Sequence, residues 1–217
     1  MNSEHINPSD LRQQVVDTAR LSVERGLNQG SSGNVSVRCG TGMLITPSGL
    51  ATDALGVNDI VYVPFEGAPE GDLPPSSEWR FHRDIYLQRP EANAVVHAHS
   101  PFAVAIACLR RGIPSFHYMV AVAGGHDIRC ADYATFGTQA LSDNVMQALQ
   151  DRRACLMANH GLVAFGETAG RALYIALEVE ALCEQFWRAS LLGQPVLLTE
   201  AEMAEVIERF KTYGKRG

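Results

Sequence analysis

No run in the 217 residues approaches the roughly 20 consecutive apolar residues of a membrane span. Residues 1–10 are polar and lack the apolar stretch of a secretory signal. Cysteine is sparse: five residues, an odd number, widely spaced and without Cys-x-x-Cys. That pattern argues against a disulfide framework and for free thiols in a reducing cytoplasm. Positive charge is in deficit, with 18 Lys and Arg against 24 Asp and Glu and a net charge of −6. Such a chain is a poor partner for nucleic acid. An anionic substrate must then be held by local donors, not by a global field. Repeats, low-complexity segments and linkers are missing too. The expectation is a single domain over 1–217, cytoplasmic, with neither membrane nor nucleic acid as a partner.

Hydrophobic residues make up 46% of the chain, enough for a sizeable core. Pro8-Ser9-Asp10 opens a helix, with Leu11, Val15, Ala19 and Val23 at four-residue spacing. Strands are expected at 35–38 and 43–46, joined through the Gly40-Thr41-Gly42 turn, and again at 60–63. Residues 66–75, rich in Gly, Pro and acidic residues, read as an exposed loop. A helix from 76 to about 88 precedes a strand at 94–98 and a helix at 102–110. Strands at 115–123 and 128–131 flank Gly124-Gly125. A helix at 138–150, strands at 154–158 and 162–165, and helices at 169–192 and 200–213 complete the chain. Short strands with hairpin signals among helices predict an α/β fold: three layers, α/β/α, around a mainly antiparallel sheet.

The chemistry gathers at Val95-Val96-His97-Ala98-His99. Side chains alternate along a strand, so His97 and His99 face the same way and can chelate one ion. A third histidine, His160, stands downstream in Asn159-His160-Gly161. Three nitrogens with a position left open is the arrangement of a catalytic zinc site. A lone His-x-His pair is also common on ordinary strands, so the rest of the chain must decide. Three loops offer oxyanion donors: Ser32-Gly33-Asn34, Thr46-Pro47-Ser48-Gly49 and Ser76-Ser77. Glycine lets amides approach a ligand closely, and a helix N-terminus favours an anion. The same residues make plain turns and helix caps. Glu78, in the first turn of its helix, suits either the helix dipole or a general base beside the ion. Asp84 and Glu91 read as solvated, His82 and His117 as structural, and His126 as a residue that could lie near a pocket.

Six segments together resemble the class II aldolase/adducin family: Gly-Leu-Asn-Gln-Gly (26–30), Gly-Asn-Val-Ser-Val-Arg (33–38), Leu-Ile-Thr-Pro-Ser-Gly (44–49), Ser-Ser-Glu-Trp-Arg-Phe-His (76–82), Val-Val-His-Ala-His (95–99) and Asn-His-Gly-Leu (159–162). The likeness continues through Ile113-Pro114, His117-Tyr118-Met119, residues 133–137 and the C-terminal Phe210-Lys211-Thr212-Tyr213-Gly214, in order and without a large insertion. Within the family the pattern is most similar to the aldolases of L-fuculose 1-phosphate. The resemblance implies one Zn2+, or another divalent ion such as Mn2+ or Co2+, per subunit on His97, His99 and His160, with Glu78 also able to ligate. It implies phosphate contacts from Gly33, Asn34, Ser48, Gly49, Ser76 and Ser77. It gives Tyr118, Phe136 and Tyr213 roles around the aldehyde half of the substrate, at a subunit boundary of a homotetramer. Read from the residues alone, those three are a core tyrosine, a core aromatic and a tail.

The implied reaction is reversible cleavage of a ketose 1-phosphate to dihydroxyacetone phosphate and a small aldehyde such as L-lactaldehyde. The ion acts as a Lewis acid, Glu78 moves the carbon-bound proton, and Tyr118 is the candidate for the C4 hydroxyl proton. The chain offers no obvious lysine for a Schiff base. Alternatives are an aldolase of 5-deoxyribulose 1-phosphate and 5-methylthioribulose 1-phosphate, a family epimerase or dehydratase, and a non-catalytic adducin-like binding module. The intact His97, His99, His160 and Glu78 argue against the last. The turn at Ser100-Pro101-Phe102 and His126 depart from the fuculose pattern and are candidates for setting aldehyde specificity.

Overall fold

The computed structural model describes residues 8–69 and 72–211. Its strands are β1 (Asn34–Cys39), β2 (Gly42–Ile45), β3 (Val61–Pro64), β4 (Ala94–Ala98), β5 (Cys130–Ala131), β6 (Ala154–Met157) and β7 (Gly161–Gly166). They form one sheet in the order β3-β2-β1-β4-β7-β6-β5. Every neighbouring pair is antiparallel except β5 with β6. The helices are α1 (Pro8–Glu24), α2 (Trp79–Gln88), α3 (Pro101–Ala107), α4 (Gln139–Ala148), α5 (Ala169–Leu192) and α6 (Glu200–Phe210).

Strand alternation divides the core in two. On one face Val95, Val163 and Phe165 pack with Phe81 and Ile85 of α2 and Leu141 and Val145 of α4. On the other, Ala94, Val96 and Leu162 pack with Val15 of α1, Ala103 of α3, Ile175 and Val179 of α5 and Met203 of α6. β4 and β7 are therefore covered on both sides, which explains their nearly unbroken apolar runs. The three-layer α/β/α architecture is the one expected.

Three local expectations are corrected. Residues 115–123 read as a strand but end in a 3₁₀ segment, Tyr118–Ala123. The His117 side chain accepts a hydrogen bond from the Met119 N–H at its start, and Gly124, at φ 98°, ends it. Its apolar residues face α5 and α6 instead of a neighbouring strand, a distinction that a short apolar run cannot make. The helix expected to reach residue 110 stops at Ala107, and Arg110, at φ 53°, turns the chain away. Asp84 is not solvated. It is 7% exposed and accepts hydrogen bonds from Arg83 Nε (2.9 Å), Ser142 Oγ (2.6 Å) and Gln139 Nε2 (2.7 Å), tying α2 to α4. The last helix, expected through Tyr213, is seen to Phe210; Tyr213 lies outside the described residues.

Burial pushes the Asp84 carboxyl up, but its hydrogen bonds from Ser142, Gln139 and Arg83 outweigh this and leave it below the ordinary value. A folded-state value below the unfolded value of about 3.9 gives stability that is present above that pH and lost as pH falls through the folded value. Asp84→Ala strands the donors of Ser142 and Gln139 and is expected to cost about 1–3 kcal/mol at neutral pH. Urea melts should show a lower midpoint at unchanged slope. The gap to the parent should narrow as pH drops below about 4.

Candidate active site

Strand pairing places the first ligand candidate. In β4, His97 lies between Asn34 of β1 and Val163 of β7 and is fully buried. Its Nδ1–H donates to the Leu162 carbonyl at 2.8 Å, which leaves the Nε2 lone pair turned into the site. His99 follows the end of β4; its N–H donates to Asn28 Oδ1 at 3.0 Å. Asn28 in turn fills the space beneath Gly33, where a Cβ would sit 2.3 Å from its amide nitrogen.

His160 comes from the turn between β6 and β7. Asn159, at φ 54°, is held by its N–H to Ala107 O (3.0 Å) and by Arg110 Nε to its Oδ1 (3.0 Å). At Gly161 a Cβ would stand 2.3 Å from the Ala98 carbonyl, so only glycine lets the turn close onto β4. The three imidazole centroids then form a near-equilateral triangle with sides of 4.8, 4.9 and 4.9 Å.

Glu78 closes the cluster. It is the residue before α2, not within its first turn, and is 6% exposed. Its Oε2 lies 2.9 Å from His97 Nε2 and its Oε1 3.1 Å from His160 Nε2. The ligand atoms of all four residues lie within 4.8 Å of one another. Ligands of a tetrahedral zinc at 2.0–2.1 Å stand about 3.3 Å apart, a comparable span. Two features call for a cation. Glu78 Oε1 is buried without a hydrogen-bond partner. The Nε2 atoms of His97 and His99 face each other at 2.9 Å. Nitrogen and carboxylate donors in this number fit one divalent ion.

The electrostatics agree. Burial pushes the Glu78 carboxyl up, but His97 and His160 outweigh it and hold the group well below the usual carboxylate range. Burial pushes His97 down, yet the adjacent Glu78 carboxylate prevails and raises its imidazole. His99 is pushed down to about 4 by burial and by His97 and His160.

Behind Glu78 lies a buried polar chain. Asn34 Nδ2 donates to Glu78 Oε2 at 3.1 Å. The Asn34 Oδ1 meets His82 Nε2 at 2.5 Å, His82 Nδ1 meets Ser36 Oγ at 2.7 Å, and Ser36 Oγ meets Tyr86 Oη at 2.8 Å. Burial, with His97 second, pushes His82 down to about 3, so its imidazole is neutral.

The donor loops converge beside this cluster. Ser48 N–H donates to Pro74 O and Ser76 N–H to Thr46 O, both at 3.0 Å, with Pro47 bridged to Pro75. Ser48, Gly49 and Ser77 are exposed, while Ser76 is buried. Ser32, Gly33, Asn34 and Thr46 line one small cavity.

A family model, the class II aldolase and adducin N-terminal domain, matches residues 13–187. The chain belongs to the class II aldolase and adducin family. It is 53% identical over 204 residues to a Rhodospirillum rubrum protein named 5-methylthioribulose-1-phosphate/5-deoxyribulose-1-phosphate aldolase, covering 94% of this chain and 92% of that one. It is 47% identical over 207 residues to the L-fuculose phosphate aldolase of Escherichia coli, covering 95% and 96%. A solved L-fuculose 1-phosphate aldolase superposes with a TM-score of 0.91 at 40% identity, covering 96% of this chain and 100% of that one. Relatives at such identity over nearly the whole length make this chain an aldehyde-lyase, not a binding module that has lost its chemistry. No described helix is long and apolar enough to cross a membrane.

Two more of the expected residues, Phe136 and Tyr118, lie among the described residues; the loop of Phe136 packs on Ser77 through Gly137, beside Glu78. Phe136 is 66% exposed, and its loop is pinned to α2 by Arg80 Nη1 donating to Gly137 O at 2.6 Å. Tyr118 is 49% exposed and, with Met119, Arg171, Tyr174 and Phe210, lines a groove that contains none of the cluster residues. Neither is the core aromatic that the residues alone imply. The turn at 100–102 points elsewhere: Ser100 is fully buried, and its Oγ donates to Glu180 of α5 at 2.6 Å. Glu180 also accepts the Phe102 and Ala103 N–H groups, capping α3. His126 is exposed. Residue-by-residue reading missed Asn28 and Glu180, which no local pattern marks. His82, read as structural, is fully buried and hydrogen-bonded to Asn34 and Ser36.

Protein purified gently should carry near-stoichiometric divalent metal by elemental analysis. Chelation should lower its melting temperature, and added Zn2+, Mn2+ or Co2+ should restore it. His97→Ala protein that still held a full complement of metal would remove these residues as the ligand set.

Proposed function

We propose that this enzyme is a metal-dependent aldolase that reversibly cleaves a ketose 1-phosphate to dihydroxyacetone phosphate and a small aldehyde. The observation that carries this reading is the carboxylate–histidine cluster of Glu78, His97, His99 and His160 beside converging donor loops. His97, His99, His160 and Glu78 would hold the ion, with Zn2+ the expected species. When bound, the ion supplies Lewis-acid stabilisation of the negative charge that develops on the substrate oxygens. Lysine occurs only at Lys211 and Lys215, which gives a Schiff-base route little to work with.

The protein's own groups then divide the work. Gly33, Ser48, Gly49, Ser76 and Ser77 hold the phosphate through amides and hydroxyls, which orients the reacting end. Asn34 belongs to the same loop, although one amide hydrogen is given to Glu78. During cleavage Glu78 gives a proton to the carbon of the enediolate fragment; in condensation it removes that proton. Tyr118 handles the C4 hydroxyl proton, and Phe136 and Tyr213 wall the aldehyde side. Tyr118 and the cluster do not share a cavity within one chain, which supports a homotetramer with sites completed between subunits.

The relatives support the alternative substrates better than the one expected from sequence. The 53% match bears the methylthioribulose and deoxyribulose name, the 47% match the fuculose name. We therefore place 5-methylthioribulose 1-phosphate and 5-deoxyribulose 1-phosphate ahead of L-fuculose 1-phosphate.

An apolar aldehyde wall discriminates by only about 1–3 kcal/mol per methylene and rejects an added hydroxyl poorly. The kcat/KM values for these three phosphates should therefore lie within about a thousandfold of one another, and loss of the phosphate should matter far more. A wider spread among the phosphorylated sugars would call for a dedicated polar contact. Glu78→Gln should bind metal but stop exchange of the dihydroxyacetone phosphate proton with deuterated water; undiminished exchange by NMR would exclude Glu78. Light scattering that showed an active monomer would exclude the shared site.

A further inference from the structure

The two oxygens of Glu78 are unlike. Oε2 faces His97 Nε2 at 2.9 Å and also accepts from Asn34 behind it, whereas Oε1 faces His160 Nε2 at 3.1 Å and has no such anchor from behind. The chain behind Oε2 has only one consistent direction. A carboxylate oxygen can only accept, so Asn34 must present its NH2 to Glu78 and its carbonyl to His82. His82 must then donate from Nε2, and its Nδ1 must accept from the Ser36 hydroxyl. Ser36 Oγ is left to accept from Tyr86. Each donor is buried: Tyr86 is 2% exposed, Asn34 is 6% exposed, and Ser36 and His82 are fully enclosed. Four hydrogen bonds thus run one way, from Tyr86 through Ser36, His82 and Asn34, and end on one oxygen of one carboxylate.

We propose that His82 is a positioning residue for proton transfer: through Asn34 it anchors Oε2 of Glu78 and leaves Oε1 as the oxygen that carries the substrate proton. In condensation the C–H bond of dihydroxyacetone phosphate breaks, its proton goes to Oε1, and the electron pair stays on the substrate as the enediolate. Cleavage returns the proton to carbon. Without the anchor the carboxylate can rotate, and Oε1 loses its fixed aim at the substrate carbon. This rests on the reading of Glu78 as the proton-transfer group.

Three variants separate an oriented donor from bulk packing. Gln can place an amide N–H where His82 Nε2 stands, Asn can reach only the Nδ1 position, and Leu offers neither. In the metal-loaded enzyme, His82→Leu should keep its metal and hold the substrate KM within about threefold, but exchange the dihydroxyacetone phosphate proton about 10–100-fold more slowly. His82→Gln should recover most of the exchange rate and His82→Asn should not. Equal rates for the Gln and Asn variants would overturn the proposal, as would native exchange in His82→Leu or failure of both amide variants to fold. If only His82→Leu fails to fold, the Gln and Asn pair decides. Glu78→Gln run alongside keeps the two readings distinct: exchange lost there but intact in His82→Leu overturns only the anchoring role, and exchange retained in Glu78→Gln overturns the assignment of Glu78 itself.

Discussion

The register of β4 between β1 and β7 is the constraint on which the site depends. With Asn34 opposite His97 on one side and Val163 on the other, His97 faces α2 and its Nδ1 meets the Leu162 carbonyl. A slip of one residue would turn His97 toward α5 and place Val96 beside Glu78 and His160. That slip is opposed by both cores at once. Val95 would leave the Phe81 and Ile85 cluster, and Ala94 and Ala98 would leave the close packing under α3 and α5. Ala94, Val96 and Ala98 on the α5 side of β4, against Val95 and the polar His97 on the α2 side, make the two faces non-interchangeable. Core packing therefore sets the ligand geometry to within one strand position.

The second constraint is electrostatic. A lone carboxylate at 6% exposure would be too costly to keep ionised. Glu78 remains ionised because His97 and His160 stand at 2.9 and 3.1 Å and Asn34 donates from behind. The two oxygens are not matched: Oε2 has both His97 and Asn34, Oε1 only the His160 contact. A buried carboxylate amid three inward-facing imidazoles is a donor set that a divalent ion fits. Here fold stability and function pull in different directions: an apolar residue at position 78 would be easier to bury and could do nothing.

The sheet and layers were legible because strand and helix periods show directly in residues 35–45, 94–98 and 169–192. The gathering of His97, His99 and His160 was legible too: the His-Ala-His spacing brought the first two together although His99 lies just past the strand, and His160 sits in a turn marked by Asn159 and Gly161. What escaped was long-range. Asp84 lies on a helix face that a sequence assigns to solvent until Ser142 and Gln139, more than fifty residues away, are packed against it. The apolar run at 118–123 has strand composition, and only contact with α5 and α6 makes it a 3₁₀ segment. Ser100 departs from the fuculose pattern beside His99, yet it faces Glu180 of α5. Adjacency in sequence to His99 was a poor guide to which side it serves, since the strand ends at Ala98 and Ser100 already caps α3.

That last point bears on how specificity is divided. The α2 side of the sheet carries the buried polar cluster: Glu78 and His97, with Asn34 and His82 behind them. The α5 side carries Tyr118, Tyr174 and Phe210 around a separate groove. Within one chain the reacting machinery and much of the aromatic surface thus belong to different layers. A substitution in the first set reaches the proton or the ion. A substitution in the second at Tyr174 or Phe210 changes the groove and leaves the buried charges where they are. In such an arrangement the aldehyde preference can drift while the bond cleaved stays the same. Relatives at 53% and 47% identity carry different sugar names over one shared aldolase chemistry, as that separation allows.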